Sequence, residues 1–248
     1  MKKLSKITES IWSDIQDRSA GETVREEDKI TTKEELQDKI YELYKEQGKG
    51  DTLDVSSLTN AFKCDDFSSL FQGYKNVKYI IGLEDWDVSK VTNMKEMFRD
   101  CENFNADLSK WNVSSVKDMR YMFSHCKKFN SDLSKWDVSN VEDMAYMFWD
   151  CKKFNCDLSN WNVSSVKSMF TMFAGCENFN SDLSNWNVSS VEDITNMFQN
   201  CKKFYSDLNK WDVSKVEDTR GTFSGCQSLG ERPSWWYRKD SGPEGLWY

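Results

Sequence analysis

Tryptophan stands at Trp86, Trp111, Trp136, Trp161, Trp186 and Trp211, and cysteine at Cys101, Cys126, Cys151, Cys176, Cys201 and Cys226, every step being 25 residues. The register admits no insertion or deletion across six units. A unit this short cannot bury its own apolar side, so a fixed period in this range implies an array in which each unit covers the next and one core runs through the stack. A chain of 248 residues then needs no second domain to explain its length.

The apolar spacing within a unit predicts how it coils. In the second unit Leu108, Trp111 and Val113 follow L-x-x-L-x-L with tryptophan in the middle slot, the pattern of a short strand in a leucine-rich repeat. Val116, Met119, Met122, Phe123 and Cys126 then stand at i, i+3, i+6, i+7 and i+10, which predicts a short helical return, and Phe129 leads into the next strand. The expected fold is an α/β solenoid, a leucine-rich-repeat-like array of short parallel strands and helical returns behind an N-terminal helical cap. Equivalent residues would lie about 4.8 Å apart, so each column of side chains becomes a ladder. The tryptophans are then a core column rather than a ligand-stacking platform.

Units such as FNSDLSKWDVSNVEDMAYMFWDC resemble the repeat of the BspA-like leucine-rich-repeat proteins, of the mycoplasma-lipoprotein type. The resemblance rests on D-L-S-x-W-D/N-V-S-x-V-x-x-M-x-x-M-F-x-x-C-x-x-F-N and covers about Leu83 to Leu229. It implies a binding or adhesion solenoid with no catalytic residues to carry over. Neither the secretion signal nor the lipid-bearing cysteine of the surface members is expected here, because Thr8, Glu9 and Ser10 stand where a signal peptide has its apolar run.

The rest of the chain divides around the array. Residues 1–31 are expected to form a first helix, from Ile7, Ile11, Trp12 and Ile15, with a charged linker, as a separable docking segment. Residues 32–82 should hold a capping helix, with Thr32 and Glu35 as a capping box and Leu36, Ile40, Leu43 and Tyr44 on one face, followed by a degenerate first repeat. Residues 83–229 are the six-unit array, and the aromatic segment 230–248 is expected to cover its last rung.

Chemistry is harder to assemble. A line of thiols makes a poor tetrahedron for zinc, and side chains stacked in one direction rarely reach disulfide torsions, so the cysteine column reads as small buried side chains in a reducing compartment. Cys64 and Cys156 fall off that column and are the expected reactive thiols. The column Asp107, Asp132, Asp157, Asp182 and Asp207 could suggest calcium but lacks the glycine-bearing calcium loop, and turn capping is the better reading. Asn112, Asn162 and Asn187 open N-x-S triplets, yet the same slot holds aspartate at Asp87, Asp137 and Asp212, so the match is a by-product of the repeat. His125, the only histidine, has no partner specified by the pattern. No nucleophile, base and orienter come together, so the chain is expected to be no enzyme, with no catalytic residue, metal or cofactor.

What remains is surface. A net charge of -8 disfavours a nucleic-acid partner, and no window of the sequence is apolar enough to span a membrane. Tyr121 and Tyr146 share a slot in adjacent units, Trp149 follows Tyr146 by one turn, and Phe170 belongs to the next unit, all at positions where other units carry residues such as Arg99, Thr171, Asn196 or Gln199. They are candidate partner-binding residues, the competing reading being that they pack over neighbouring returns. An alternative contact surface is the polar strand face of Asp87, Asn112, Asp137, Asn162, Asn187 and Asp212. The expected function is a non-enzymatic protein-interaction scaffold in a bacterial cytoplasm or a phage particle, its protein partner unidentified. The alternative is a surface adhesin exported without the usual signal, and a remote one is an enzyme with an unrecognised site.

Overall fold

The computed structural model describes residues 29–236. The first helix expected from Ile7 to Ile15 and most of the aromatic C-terminal segment lie outside these residues. Helix α1 spans Lys33–Glu46 and starts where its sequence provides a cap: the Glu35 N–H donates to Thr32 Oγ1 at 3.2 Å. The Glu35 carboxylate reaches back to the N–H of Thr31 rather than Thr32, at 3.3 Å, which leaves the reciprocal bond of a capping box one residue early. Gly48, at φ 81°, follows the helix end in the left-handed conformation that glycine adopts without steric cost. Leu36 and Ile40 are fully buried, with Leu43 and Tyr44 packed at the edge. The helix lies over the first coil, where Gln37 Nε2 donates to the Ser69 carbonyl at 3.3 Å and Tyr44 meets Tyr74 with ring centroids 4.7 Å apart.

Two short strands follow. Strand β1 (Thr52–Asp54) pairs in parallel with β2 (Tyr79–Ile81), Leu53 opposite Ile80. From there successive units are joined by single parallel bridges through Asp66, Asn93, Asp118, Asp143, Ser168, Asp193 and Asp218.

The ladder does not run where the apolar pattern suggests. Leu108 to Val116 form consecutive turns instead of a strand, the Trp111 N–H donating to the Leu108 carbonyl at 3.1 Å and the Val116 N–H to the Val113 carbonyl at 2.9 Å. Local side chains compete for the backbone here: Ser109 N–H donates to Asp107 Oδ1 at 2.9 Å and Ser114 N–H to Asn112 Oδ1 at 3.1 Å. The segment expected to return as a helix carries the ladder. Glu96, Phe98 and Asp100 give their N–H groups to the carbonyls of Arg120, Met122 and Ser124 at 2.8, 2.9 and 2.8 Å. The intervening Met97, Arg99 and Cys101 close turns onto Met94, Glu96 and Phe98 at 3.2, 3.0 and 3.0 Å. Alternate donors therefore serve the coil and its neighbour, and no α-helix forms.

The interior is a set of ladders. The tryptophans from Trp86 to Trp211 are at most 4% exposed. From Trp111 onward each indole N–H donates to the leucine carbonyl of the preceding coil, as Trp136 does to Leu108 at 3.0 Å and Trp161 to Leu133 at 3.0 Å. A buried indole needs such a partner, and the column provides one per coil. Beside it Phe98, Phe123, Phe148 and Phe173 stack with centroids 5.6 Å apart. Each column cysteine donates its thiol to a phenylalanine carbonyl of the coil before, as Cys151 does to Phe123 at 2.9 Å. Burial raises the thiol pKa, to about 12 at Cys101.

Candidate functional site

The ladder imposes a backbone demand that decides what its outer face can carry. Turns such as Met94–Met97 and Phe98–Cys101 put their third residue at positive φ, as a type II turn does. One resulting column holds Asp100, His125, Asp150, Gly175, Asn200 and Gly225, mostly residue types that tolerate this conformation. The other holds Glu96, Tyr121, Tyr146, Thr171, Asn196 and Gly221. Asn196 and Gly221 are at ease there. Tyr121 at φ 57°, Tyr146 at 60° and the β-branched Thr171 at 58° are not, and residues held in this region cost of order 1–3 kcal/mol each.

These strained positions are where the candidate aromatics converge. The rings of Tyr121 and Tyr146 stack with centroids 4.3 Å apart and planes 10° from parallel. Tyr146 also meets Trp149 at 5.4 Å and the edge of Phe170 at 4.9 Å, so the structure brings all four together. None is fully exposed; each is half-buried against its neighbours on the outer face. Burial, then the neighbouring Tyr121, push the Tyr146 phenol pKa up.

Charged groups frame the cluster. The Arg99 guanidinium lies 5.3 Å from the Tyr121 ring centroid, and Arg120 Nε lies 3.0 Å from each Asp118 carboxylate oxygen and 3.6 Å from Asp143 Oδ2. His125, without a partner in the repeat pattern, packs on Trp149 at 4.4 Å and puts Nδ1 3.5 Å from Asp150 Oδ2. Neither Arg99 nor His125 figured among the expected site residues. The signal was the period itself, since Asp150 and His125 share a column and Arg99 shares one with Trp149.

The alternative face is arranged differently. Asp87, Asn112, Asp137, Asn162, Asn187 and Asp212 are exposed, but they stand on turns away from the ladder and each accepts the N–H of the serine two residues on, at 3.0–3.2 Å. Their side chains cap turns. The column of Asp107, Asp132, Asp157, Asp182 and Asp207 does the same, and the hydroxyl and then the N–H of Ser109 hold the Asp107 carboxyl below its usual pKa. Cys64 and Cys156 correct the expectation of reactivity: both are 8% exposed, and burial raises each thiol to about 11. Cys156 belongs to a column after all, that of Ser131, Ser181 and Ser206, where its sulfur accepts the Leu133 N–H at 3.1 Å as Ser181 Oγ accepts that of Leu158.

No helix among the described residues is long and apolar enough to cross a membrane. The sequence profile of a family described as "Mycoplasma protein of unknown function, DUF285" matches residues 65–176 and, in a second overlapping copy, residues 132–236. No curated protein and no solved structure matches the chain.

Proposed function

The chain belongs to the DUF285 family of mycoplasma proteins of unknown function, and from that premise we propose that it is a non-enzymatic protein-interaction scaffold whose outer ladder face holds the partner. In this reading the stacked coils are a solenoid of the BspA-like, leucine-rich-repeat-like kind, and their regularity is a means of displaying a few irregular residues. One observation carries the proposal. Tyr121 and Tyr146 occupy backbone positions that penalise bulky side chains, although Asn196 and Gly221 show that the repeat can fill the same slot without strain. The rings pack on one another, but no core ladder depends on them, so a partner is the better reason to keep the costlier residue in two adjacent coils. A cluster of tyrosine and tryptophan ringed by Arg99, Arg120 and His125 has the composition of a binding hot spot, with aromatic anchors inside a polar rim.

The test is affinity capture from the native host with the unaltered chain and with Trp149→Ser. Trp149 lies outside the left-handed column and outside the core ladders, so its loss leaves the stack intact. A protein captured by the first and not the second supports the reading. Equal capture by both removes the cluster from the interface.

A further inference from the structure

A second surface lies on a different face and shares no residue with the aromatic cluster. Asn105, Asn130, Asn155 and Asn180 form a column in which each Oδ1 accepts the backbone N–H one coil on: Asn130 N–H donates to Asn105 at 2.7 Å, Asn155 to Asn130 at 2.7 Å, Asn180 to Asn155 at 2.8 Å and Tyr205 to Asn180 at 3.0 Å. Committing Oδ1 to the ladder fixes the amide plane and leaves Nδ2, with two hydrogens, as the group on offer; none of the described residues accepts from it. Two residues along runs the column of Asp107 to Asp207, whose carboxylates engage their turns through Oδ1 and keep a second oxygen that can accept a hydroxyl. The face is thus a grid of amide donors and carboxylate acceptors repeated once per coil, about every 4.8 Å.

Exposed rings close both ends of this grid. Of the large apolar side chains exposed among the described residues, Tyr79 and Ile81 lie before Asn105 and Tyr205 lies after Asn180. Tyr205 takes the slot that asparagine fills in the earlier coils, and it is 66% exposed, so it covers nothing. Recesses adjoin both ends. One of about 410 Å³ is bounded by Tyr79, Ile81, Asn105 and Asp107, and two of about 450 and 540 Å³ are both lined by Tyr205 and Asn180. Lys110 and Lys210 stand near the carboxylates at the two ends, and Lys78 Nζ lies 4.7 Å from the Tyr79 ring centroid, where a stacking ligand would have to displace it or use the other face, so the face carries both signs and has no strong preference for a polyanion.

Exposed flat rings at the ends of a regular array of amides and carboxylates suit a ligand with apolar ring faces and many hydroxyls. We propose that this face binds an extended neutral polysaccharide lying along the stack, with Tyr79 and Tyr205 stacking on sugar rings at its two ends and the Asn and Asp columns bonding the hydroxyls between. The span from Tyr79 to Tyr205 is five coil steps, about 24 Å, so a hexasaccharide reaches both rings and a disaccharide only one.

The experiment is ligand-observed NMR titration of the full chain with cellohexaose, chitohexaose and maltohexaose, the corresponding disaccharides, and poly-L-glutamate. At least one hexaose is expected to bind about tenfold or more tighter than its disaccharide, as two linked contacts require. Tyr205→Asn installs the repeat's own residue and keeps the fold, so it should weaken that hexaose about tenfold with the melting temperature unchanged or raised. That loss brings the hexaose close to its disaccharide, and Tyr79→Ser added to it should weaken both further. Absence of binding by all three hexaoses, full binding by Tyr205→Asn, or binding of poly-L-glutamate alone would overturn the proposal.

Discussion

The indole N–H of Trp136 donates to the carbonyl oxygen of Leu108 at 3.0 Å, across 28 residues of sequence and one step of the stack. Each core tryptophan from Trp111 to Trp211 thereby fills volume in its own coil and satisfies a buried backbone acceptor in the one before. Trp136→Ala should cost about 3–5 kcal/mol, through the cavity and the carbonyl left unpaired. Chemical denaturation measures this directly, and a loss below about 0.5 kcal/mol, the level of a surface change, would contradict the burial.

The thiols should answer to folding and to base. In the native chain the column cysteines from Cys101 to Cys201 are buried donors to backbone carbonyls, Cys226 is partly buried, and Cys64 and Cys156 are also buried. Native protein should resist alkylation at all positions but the partly buried Cys226, whereas the denatured chain, without reductant, should take up eight alkyl groups by intact mass. The folded pKa values are raised, to about 11 at Cys64 and Cys156, above the unfolded value near 8.5. The associated stability is therefore fully present below pH ~8.5 and is lost as pH rises towards the folded values, so the melting temperature should fall through that range. A flat profile between pH 8 and 11 would contradict it.

The aspartates impose the opposite limit. Hydrogen bonds from the turn serines lower the folded pKa of Asp107, Asp132, Asp157 and Asp182 below the ordinary carboxylate value, chiefly the hydroxyl for the first two and the backbone N–H for the last two. Their contribution is present above the unfolded pKa of about 3.9 and is lost as pH falls through the lowered folded values. Thermal melts should therefore drop steeply below pH ~4. Asp132→Asn keeps an acceptor for the Ser134 N–H, as asparagine does in the neighbouring turn column, and should flatten the acid limb slightly without lowering stability at pH 7. A larger loss at pH 3 than at pH 7 would be the wrong sign.

The columns were legible because stacking admits no drift in the period: Trp86 to Trp211 and Cys101 to Cys226 announce themselves as one repeated position each. The path of the backbone between them was not. Val116, Met119 and Met122 are spaced by three, and that spacing fits one face of a helix as well as successive i to i+3 turns. The arbiter was the column Asp100, His125, Asp150, Gly175, Asn200 and Gly225, whose glycine and asparagine signal a left-handed residue once per coil, which a helix excludes. The aromatic cluster could be read as a departure from the repeat, but the strain beneath Tyr121 and Tyr146 could not, because it depends on turns the apolar pattern conceals. Likewise Asn105 to Asn180 look like loop residues until the bond from each to the next coil is seen.

Tyr146→Asn separates binding from packing at one position. Asparagine tolerates φ near 60°, as Asn196 does in the same column, so the substitution relieves about 1 kcal/mol of strain while deleting the ring that joins Tyr121, Trp149 and Phe170. Melting temperature and partner capture are to be measured on the same preparation. If the ladder face is kept for a partner, capture falls at least about tenfold, as for a hot-spot residue, while the melting temperature stays unchanged or rises by up to about 3 °C. Full capture together with a melting temperature several degrees lower would contradict this and make the cluster a packing feature.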